Sequence, residues 1–146
     1  MLMIINKQDL TCNIADWEND NKILSSVRRQ VFIEEQNVPE DLEYDGYDKS
    51  SIHYMAIYAN EVVAVARLKP DGQLGRMAVL SKYRNYGIGS ELLRFILQNI
   101  PASNNKIIFL HAQTSAINLY KKQGFVEHGE IFYEANIPHK KMVLKV

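Results

Sequence analysis

Gly75 to Leu97 reads GRMAVLSKYRNYGIGSELLRFIL, and the order of residue types within it decides the fold. An apolar strand comes first, then a basic and aromatic turn, then glycines at 87 and 89. A helix follows whose Ile88, Leu92, Leu93, Ile96 and Ile100 share a face. The opening turn of a helix carries N–H groups without acceptors and a partial positive charge, so an anion settles there. Gly87 and Gly89 remove the Cβ atoms that would hold a diphosphate away, and Arg84 and Lys82 add full charges beside it.

The spacing separates this cradle from two other nucleotide sites. A dinucleotide fingerprint needs a third glycine where Leu92 stands, and an acidic residue near 109–111, where the chain reads Phe-Leu-His. No Gly-x-x-x-x-Gly-Lys-Ser/Thr run exists. A helix start with glycines placed for close packing stays open as the structural alternative. Arg84-Asn85-Tyr86-Gly87-Ile88-Gly89 resembles the Arg/Gln-x-x-Gly-x-Gly/Ala signature of the GNAT N-acetyltransferases, whose loop holds the pyrophosphate of acetyl-coenzyme A.

The rest of the chain bounds this reading. Its 146 residues suit one domain, 1–146, able to bury a core without staples. Seventeen basic residues balance seventeen acidic ones, so bulk charge makes no case for nucleic acid or membrane as a partner. A single cysteine, Cys12, excludes an internal disulfide framework, and His53, His111, His128 and His139 show no ligand spacing, so no metal is expected. The apolar start Met1 to Ile5 is too short for a signal peptide and no run approaches membrane-spanning length, which together predict a cytoplasmic protein.

Short strand pieces are expected at Met3–Asn6 and Thr11–Ile14, and a helix over Asp20–Gln36 with Ile23, Leu24, Val27, Val31 and Phe32 on one face. Pro39 ends it. Residues 40–48, EDLEYDGYD, read either as a solvated loop or as a lid whose carboxylates attract a cationic amine. Ile52–Ala59 and Val62–Lys69 form a hairpin about Asn60-Glu61, with Arg67 interrupting an apolar strand; it pairs with a carboxylate or faces a polar cleft. After the Pro70-Asp71-Gly72 turn, Gln73–Leu80 is the third strand. Beyond the glycine-loop helix and a polar break at 101–105, a strand at Lys106–Leu110 runs parallel to the one before it. Thr114 or Ser115 caps a short helix ended by Gly124. Phe125–Tyr133 and Lys140–Val146, joined through residues 134–139, complete the sheet and offer an edge through which a homodimer could pair.

Leu110 to Phe125, LHAQTSAINLYKKQGF, resembles the GNAT segment Asn-x-x-Ala-x-x-Leu-Tyr-x-x-x-Gly-Phe, with Gln113 where many members carry asparagine. Arg28–Pro39, Ala66-Arg67-Leu68, Leu110–Gln113 and Ile137–Met142 are similar to a bacterial GNAT subgroup of mostly uncharacterised acetyltransferases, and the last of these is shared with the more distant glyphosate N-acetyltransferases. The resemblance implies an α/β (α+β) GNAT-like acyl-CoA N-acyltransferase fold. Its mixed, twisted central sheet would have roughly six or seven strands flanked by about four helices, with acetyl-CoA as cosubstrate where two parallel strands splay apart.

It also implies roles. The expected reaction is direct N-acetylation of a small-molecule amine. Protein or peptide acetylation, and a non-catalytic acyl-CoA sensor, stand as alternatives. Tyr120 would be the general acid that protonates the leaving sulfur, and His139, in Pro-His-x-x-Met, the base, followed by His111 and by Glu35 through water. The backbone of Met77, Ala78 and Val79 would pair with the pantetheine arm and stabilise the oxyanion. Arg84, Asn85, Tyr86, Gly87, Ile88, Gly89 and Ser90 would hold the diphosphate, with Gln113 nearby. Arg28, Glu35, Gln36, Arg67 and His111 would line the acceptor site. Arg28 and Arg67 imply an acceptor carboxylate or phosphonate only if Glu34 and Glu35 do not take them. Cys12 lies far in sequence from every motif and is no candidate nucleophile.

Overall fold

A computed structural model describes residues 3–102 and 107–146. Most of the expected break at 101–105 and the start of the strand at Lys106 lie outside the described residues, as do Met1 and Leu2. Strands β1 (Thr11–Ala15), β2 (Ile52–Tyr58), β3 (Glu61–Leu68) and β4 (Leu74–Val79) form one antiparallel sheet in that order. Strands β5 (Ile107–Gln113), β6 (Val126–Glu134) and β7 (Ile137–Lys145) form a second, in the order β5-β7-β6. The sheets meet at a parallel bridge, Gln73 to Phe109, where the Phe109 N–H donates to the Gly72 carbonyl at 3.1 Å. Beyond it β4 and β5 diverge, as the expected pair of splayed parallel strands should.

Helices cover both faces of the first sheet. α1 (Trp17–Arg28) starts at Asp16, whose side chain accepts from the Glu18 N–H, and buries Leu24 and Val27 with Val31 against Val65 and Ala78. α3 (Ile88–Gln98) buries Ile88, Leu92, Leu93 and Ile96, each 1% exposed or less, against the other face with Ala64, Ala66, Leu68, Ile108, Leu110 and Met142. Each fully buried aliphatic side chain there contributes about 1.5–3 kcal/mol by removal from water. Two short helices, α2 (Glu40–Glu43) and α4 (Ile117–Lys121), complete the chain.

Several expectations change. Met3–Asn6 is not a strand; it leads into a single 3-10 turn at Lys7–Asp9. The long helix is α1 continued by a π-helical stretch, Arg29–Glu35, closed by a Gln36 N–H to Val31 carbonyl bond of 3.1 Å. The β2–β3 hairpin turns at Ala59-Asn60 (φ 51° and 62°), and β6–β7 turns at Ala135-Asn136 (φ 50° and 62°). Two-residue turns with both φ positive match strand twist, so the second link is tighter than residues 134–139 suggest. β7 is the middle strand of its sheet, so the free edge belongs to β6 and not to the chain-terminal strand.

Residues 40–48 are exposed along most of their length, as a surface segment is, but two of their carboxylates turn inward and anchor them. Glu43 and Asp48 are 2% and 9% exposed. Arg28 donates from Nε to Glu43 and from Nη1 to Asp48, both at 2.7 Å. Arg67 reaches Asp48 at 3.0 Å and grips both oxygens of Asp45 at 2.8 and 2.7 Å. Arg76 donates to the Leu42 and Glu43 carbonyls and to Asp45, each at 3.1 Å. Buried charge is tolerated only when paired, and here three guanidinium groups and three carboxylates cancel. Burial works against the Asp45 carboxylate, yet Arg67, the Tyr47 N–H and Arg76 outweigh it and hold its pKa below the usual range.

Candidate active site

A cleft of about 860 Å³ opens where β4 and β5 part, within the size range of small-molecule sites. Its β4 wall is bent. Arg67 pairs with Gly75 and Val65 with Ala78, so Arg76 and Met77 together oppose one residue of β3, a bulge with Arg76 at φ 50°. A bulge re-aims the backbone after it, which here is the cleft-lining run Met77, Ala78 and Val79. Met77 and Val79 are half-buried, whereas the Ala78 methyl is buried against α1, so only its backbone can face a ligand.

The glycine loop stands at one end of the cleft. Gly87 precedes α3 with φ 81°, and Asn85 is also left-handed at 68°. The first N–H groups of α3 have no intrahelical acceptor, so this loop offers donors to an anion. A Cβ at Gly89 would make only ordinary contact with Val79 and Leu119, at 3.7 and 3.8 Å, so the glycine leaves room for a ligand rather than relieving a clash. A Cβ at Gly87 would sit 2.9 Å from the Lys7 ammonium. Lys7 thus adds a charge to the loop from 80 residues away, and the sequence carries no local signal for it. Ile88 is core, so it too can serve only through its backbone; Ser90 is half-buried in the first turn of α3. The Tyr86 hydroxyl accepts from the Met3 N–H at 3.1 Å and so holds the N-terminal segment.

Arg84 is engaged. Its Nε donates to the Val79 carbonyl at 2.9 Å, and its two terminal nitrogens grip Glu35, one of them at 2.7 Å. These hydrogen bonds hold the Glu35 carboxyl below its usual pKa. Glu35 is therefore the ion-pair partner of Arg84 and is not among the residues that line the cleft. Gln36 and Gln113 exchange amide hydrogen bonds of 2.9 and 3.4 Å, tying the end of the π-helical stretch to the end of β5. Arg28 and Arg67, expected at the acceptor, are absent from the cleft wall because residues 40–48 take their guanidinium groups. The carboxylates come from Glu43, Asp45 and Asp48 rather than from Glu34 or Glu35, and the arginines that line the cleft are Arg76 and Arg84.

Tyr120 and His139 both line the cleft. Tyr120 projects from α4, is 8% exposed, packs edge-on to Phe125 at 5.9 Å, and donates its O–H to the Met77 sulfur at 3.6 Å. Burial pushes its pKa up to about 12. His139 is also 8% exposed; its Nδ1 lies 2.6 Å from the Ile137 carbonyl, which assigns the proton to Nδ1 and leaves Nε2 as the free base. His111 lines the same wall, its Nδ1 2.8 Å from Oε1 of Glu134. Among the described residues, no three His, Cys, Asp or Glu side chains gather so as to hold a metal ion, and no helix is long and apolar enough to cross a membrane.

Comparison with known proteins gives a consistent result. A family model described as an acetyltransferase (GNAT) domain matches residues 14–146. The chain is 32% identical over 134 residues to the uncharacterized N-acetyltransferase YjcF of Bacillus subtilis, covering 89% of this chain and 96% of that protein. The crystal structure of Escherichia coli ElaA superposes with a TM-score of 0.81 at 26% identity, covering 91% of this chain and 98% of that one. An acyl-CoA N-acyltransferase from Pseudomonas aeruginosa gives 0.78 at 29% identity, covering 92% and 97%.

Proposed function

The chain belongs to the GNAT acetyltransferase family, and from that premise we propose that it moves an acetyl group from acetyl-CoA directly onto the amine of a small molecule. The residues present fit that cosubstrate. The α3 first turn with Gly87, Gly89 and Lys7 suits its diphosphate, and the bulged Met77–Val79 edge suits its pantetheine arm and carbonyl oxygen. Its thioester supplies the activated acyl group.

The chain's own residues do the rest. The backbone of β4 fixes the acyl group beside Tyr120. Tyr120, with its pKa near 12, stays protonated across the neutral range and gives its proton to the departing sulfur. His139 takes a proton from the attacking nitrogen through Nε2. The observation that carries this reading is the Tyr120 hydroxyl in the cleft, whose hydrogen bond among the described residues goes to a thioether, a weak acceptor for a buried phenol. A small acceptor is favoured over a peptide because three arginines pin residues 40–48 at the cleft edge, where a peptide groove would need them to open.

The test is a panel of amines offered with acetyl-CoA and read as free thiol. Acetylation of small amines with none of lysine peptides supports the reading. Coenzyme binding by calorimetry without turnover on any amine would sink it in favour of a sensor.

A further inference from the structure

The transfer proposed above leaves a proton that Tyr120 and His139 do not carry away. Near neutrality an aliphatic amine enters as ammonium and leaves as amide, losing two protons, while the sulfur gains one. One proton per turnover must therefore reach solvent. Tyr120 and His139 are each 8% exposed and offer it a poor exit.

His111 and Glu134 line the same cleft with side chains 29% and 50% exposed, joined by the 2.8 Å contact from Nδ1 to Oε1. Phe132 stands edge-on to His111, centroids 5.0 Å apart, and stacks on His139 at 5.9 Å, so one phenyl ring separates an inner imidazole from an outer one. The other titratable groups on this side of the sheet nearest His111 are Lys141 and His139 on β7 and His128 on β6. The Lys141 ammonium lies over the Phe109 ring at 5.0 Å. Glu134 is thus the carboxylate that meets the His111 ring.

We propose that Glu134 is a positioning residue that holds His111 as the Nδ1–H tautomer, so that Nε2 takes the first proton of the entering ammonium and passes it to water. This rests on the acetyl-transfer reading. A carboxylate on one ring nitrogen fixes tautomer and orientation and stabilises the imidazolium that forms. The steps balance. His111 converts ammonium to amine and returns to neutral by releasing that proton to solvent. The nitrogen lone pair then forms the C–N bond while the C–S pair leaves on sulfur. His139 takes the second N–H proton, Tyr120 gives its own to sulfur, and the proton on His139 restores Tyr120 through water.

Ethylamine, an ammonium near neutrality, and trifluoroethylamine, which is uncharged there, have nearly the same shape and separate the first proton from the second. In Glu134→Gln and His111→Gln the ratio of kcat/KM for ethylamine over trifluoroethylamine should fall about thirtyfold, with Glu134→Asp restoring part of it. Ring ¹⁵N spectra should show one His111 tautomer in the parent and Glu134→Asp proteins and a mixture in Glu134→Gln. Equal losses with both amines, or an unchanged tautomer in Glu134→Gln, would overturn the proposal. Absence of thiol release in the parent protein with these two and every other amine of the panel, despite calorimetric coenzyme binding, would instead remove the transfer reading and the proton role with it. The spectra would still show whether Glu134 orients the ring.

Discussion

The Tyr120 O–H donates to the sulfur of Met77 at 3.6 Å, so a helix on one face of the cleft and a bulged strand on the other meet at the point where β4 and β5 separate. A phenol this buried normally commits its hydroxyl to a carbonyl or a carboxylate. Among the described residues this one donates to a soft, weak acceptor, which costs little to give up for another sulfur. Tyr120→Phe should therefore leave coenzyme affinity within twofold while lowering kcat about 10²-fold or more, measured by calorimetry and thiol release. With the phenol near 12, the parent enzyme should not lose activity through this group anywhere in the neutral range; its contribution should fade only as pH approaches 12.

Gly89 separates room for a ligand from room for the fold. Its Cβ would touch Val79 and Leu119 at ordinary distances, and alanine is favoured over glycine inside a helix by up to about 1 kcal/mol. Gly89→Ala should keep or raise the melting temperature yet weaken acetyl-CoA by about tenfold, because the added methyl stands where the diphosphate would approach. Gly87→Ala should instead lose about 1 kcal/mol of stability, since its φ of 81° is left-handed backbone that an L side chain adopts only at a cost. Equal effects of the two on stability would remove the cradle reading.

What the sequence made legible here is what neighbours in the chain decide. The β2–β3 hairpin and the α3 face of Ile88, Leu92, Leu93 and Ile96 are set within a few residues and are present, although α3 ends at Gln98 and so leaves out Ile100, which the periodicity puts on the same face. Contacts between distant segments left no such mark. Arg28 to Asp48, Arg67 to Asp45 and Arg84 to Glu35 span 20, 22 and 49 positions, and nothing local says which carboxylate an arginine will meet. Gly75 could suggest a backbone irregularity, yet the positive φ falls on Arg76, whose side chain is anchored to residues 42–45. The π-helical continuation of α1 has the same apolar spacing as an α-helix over one turn, so periodicity could not separate them.

Lys7 offers a direct check on the glycine loop from outside it. Its ammonium sits against Gly87, so it should add to the charge that meets a diphosphate. Lys7→Ala should raise the dissociation constant for coenzyme A about fivefold, with kcat unchanged, and should make binding less sensitive to salt. Unaltered affinity and salt slope would remove Lys7 from the site.

The buried charges under residues 40–48 predict how the fold responds to acid. Burial alone would raise the pKa of Asp48, but Arg28 and Arg67 reverse it, and Asp45 is lowered in the same way by Arg67. A depressed carboxylate contributes stability that is fully present above its unfolded pKa, near 4, and is lost as pH falls from there through the folded value, because the unfolded chain takes up the protons first. Urea midpoints should be flat through the neutral range and fall steeply below about pH 4. Asp48→Asn should start lower but lose less in that window, having one fewer proton to bind. Arg28→Met removes one partner from a side chain that is 2% exposed at both ends of the Glu43 bond and should cost about 3 kcal/mol at neutral pH. A parent protein whose stability holds flat down to pH values well below the carboxylate range, or an Arg28→Met variant as stable as the parent, would show that these ion pairs do not hold the segment against the sheet.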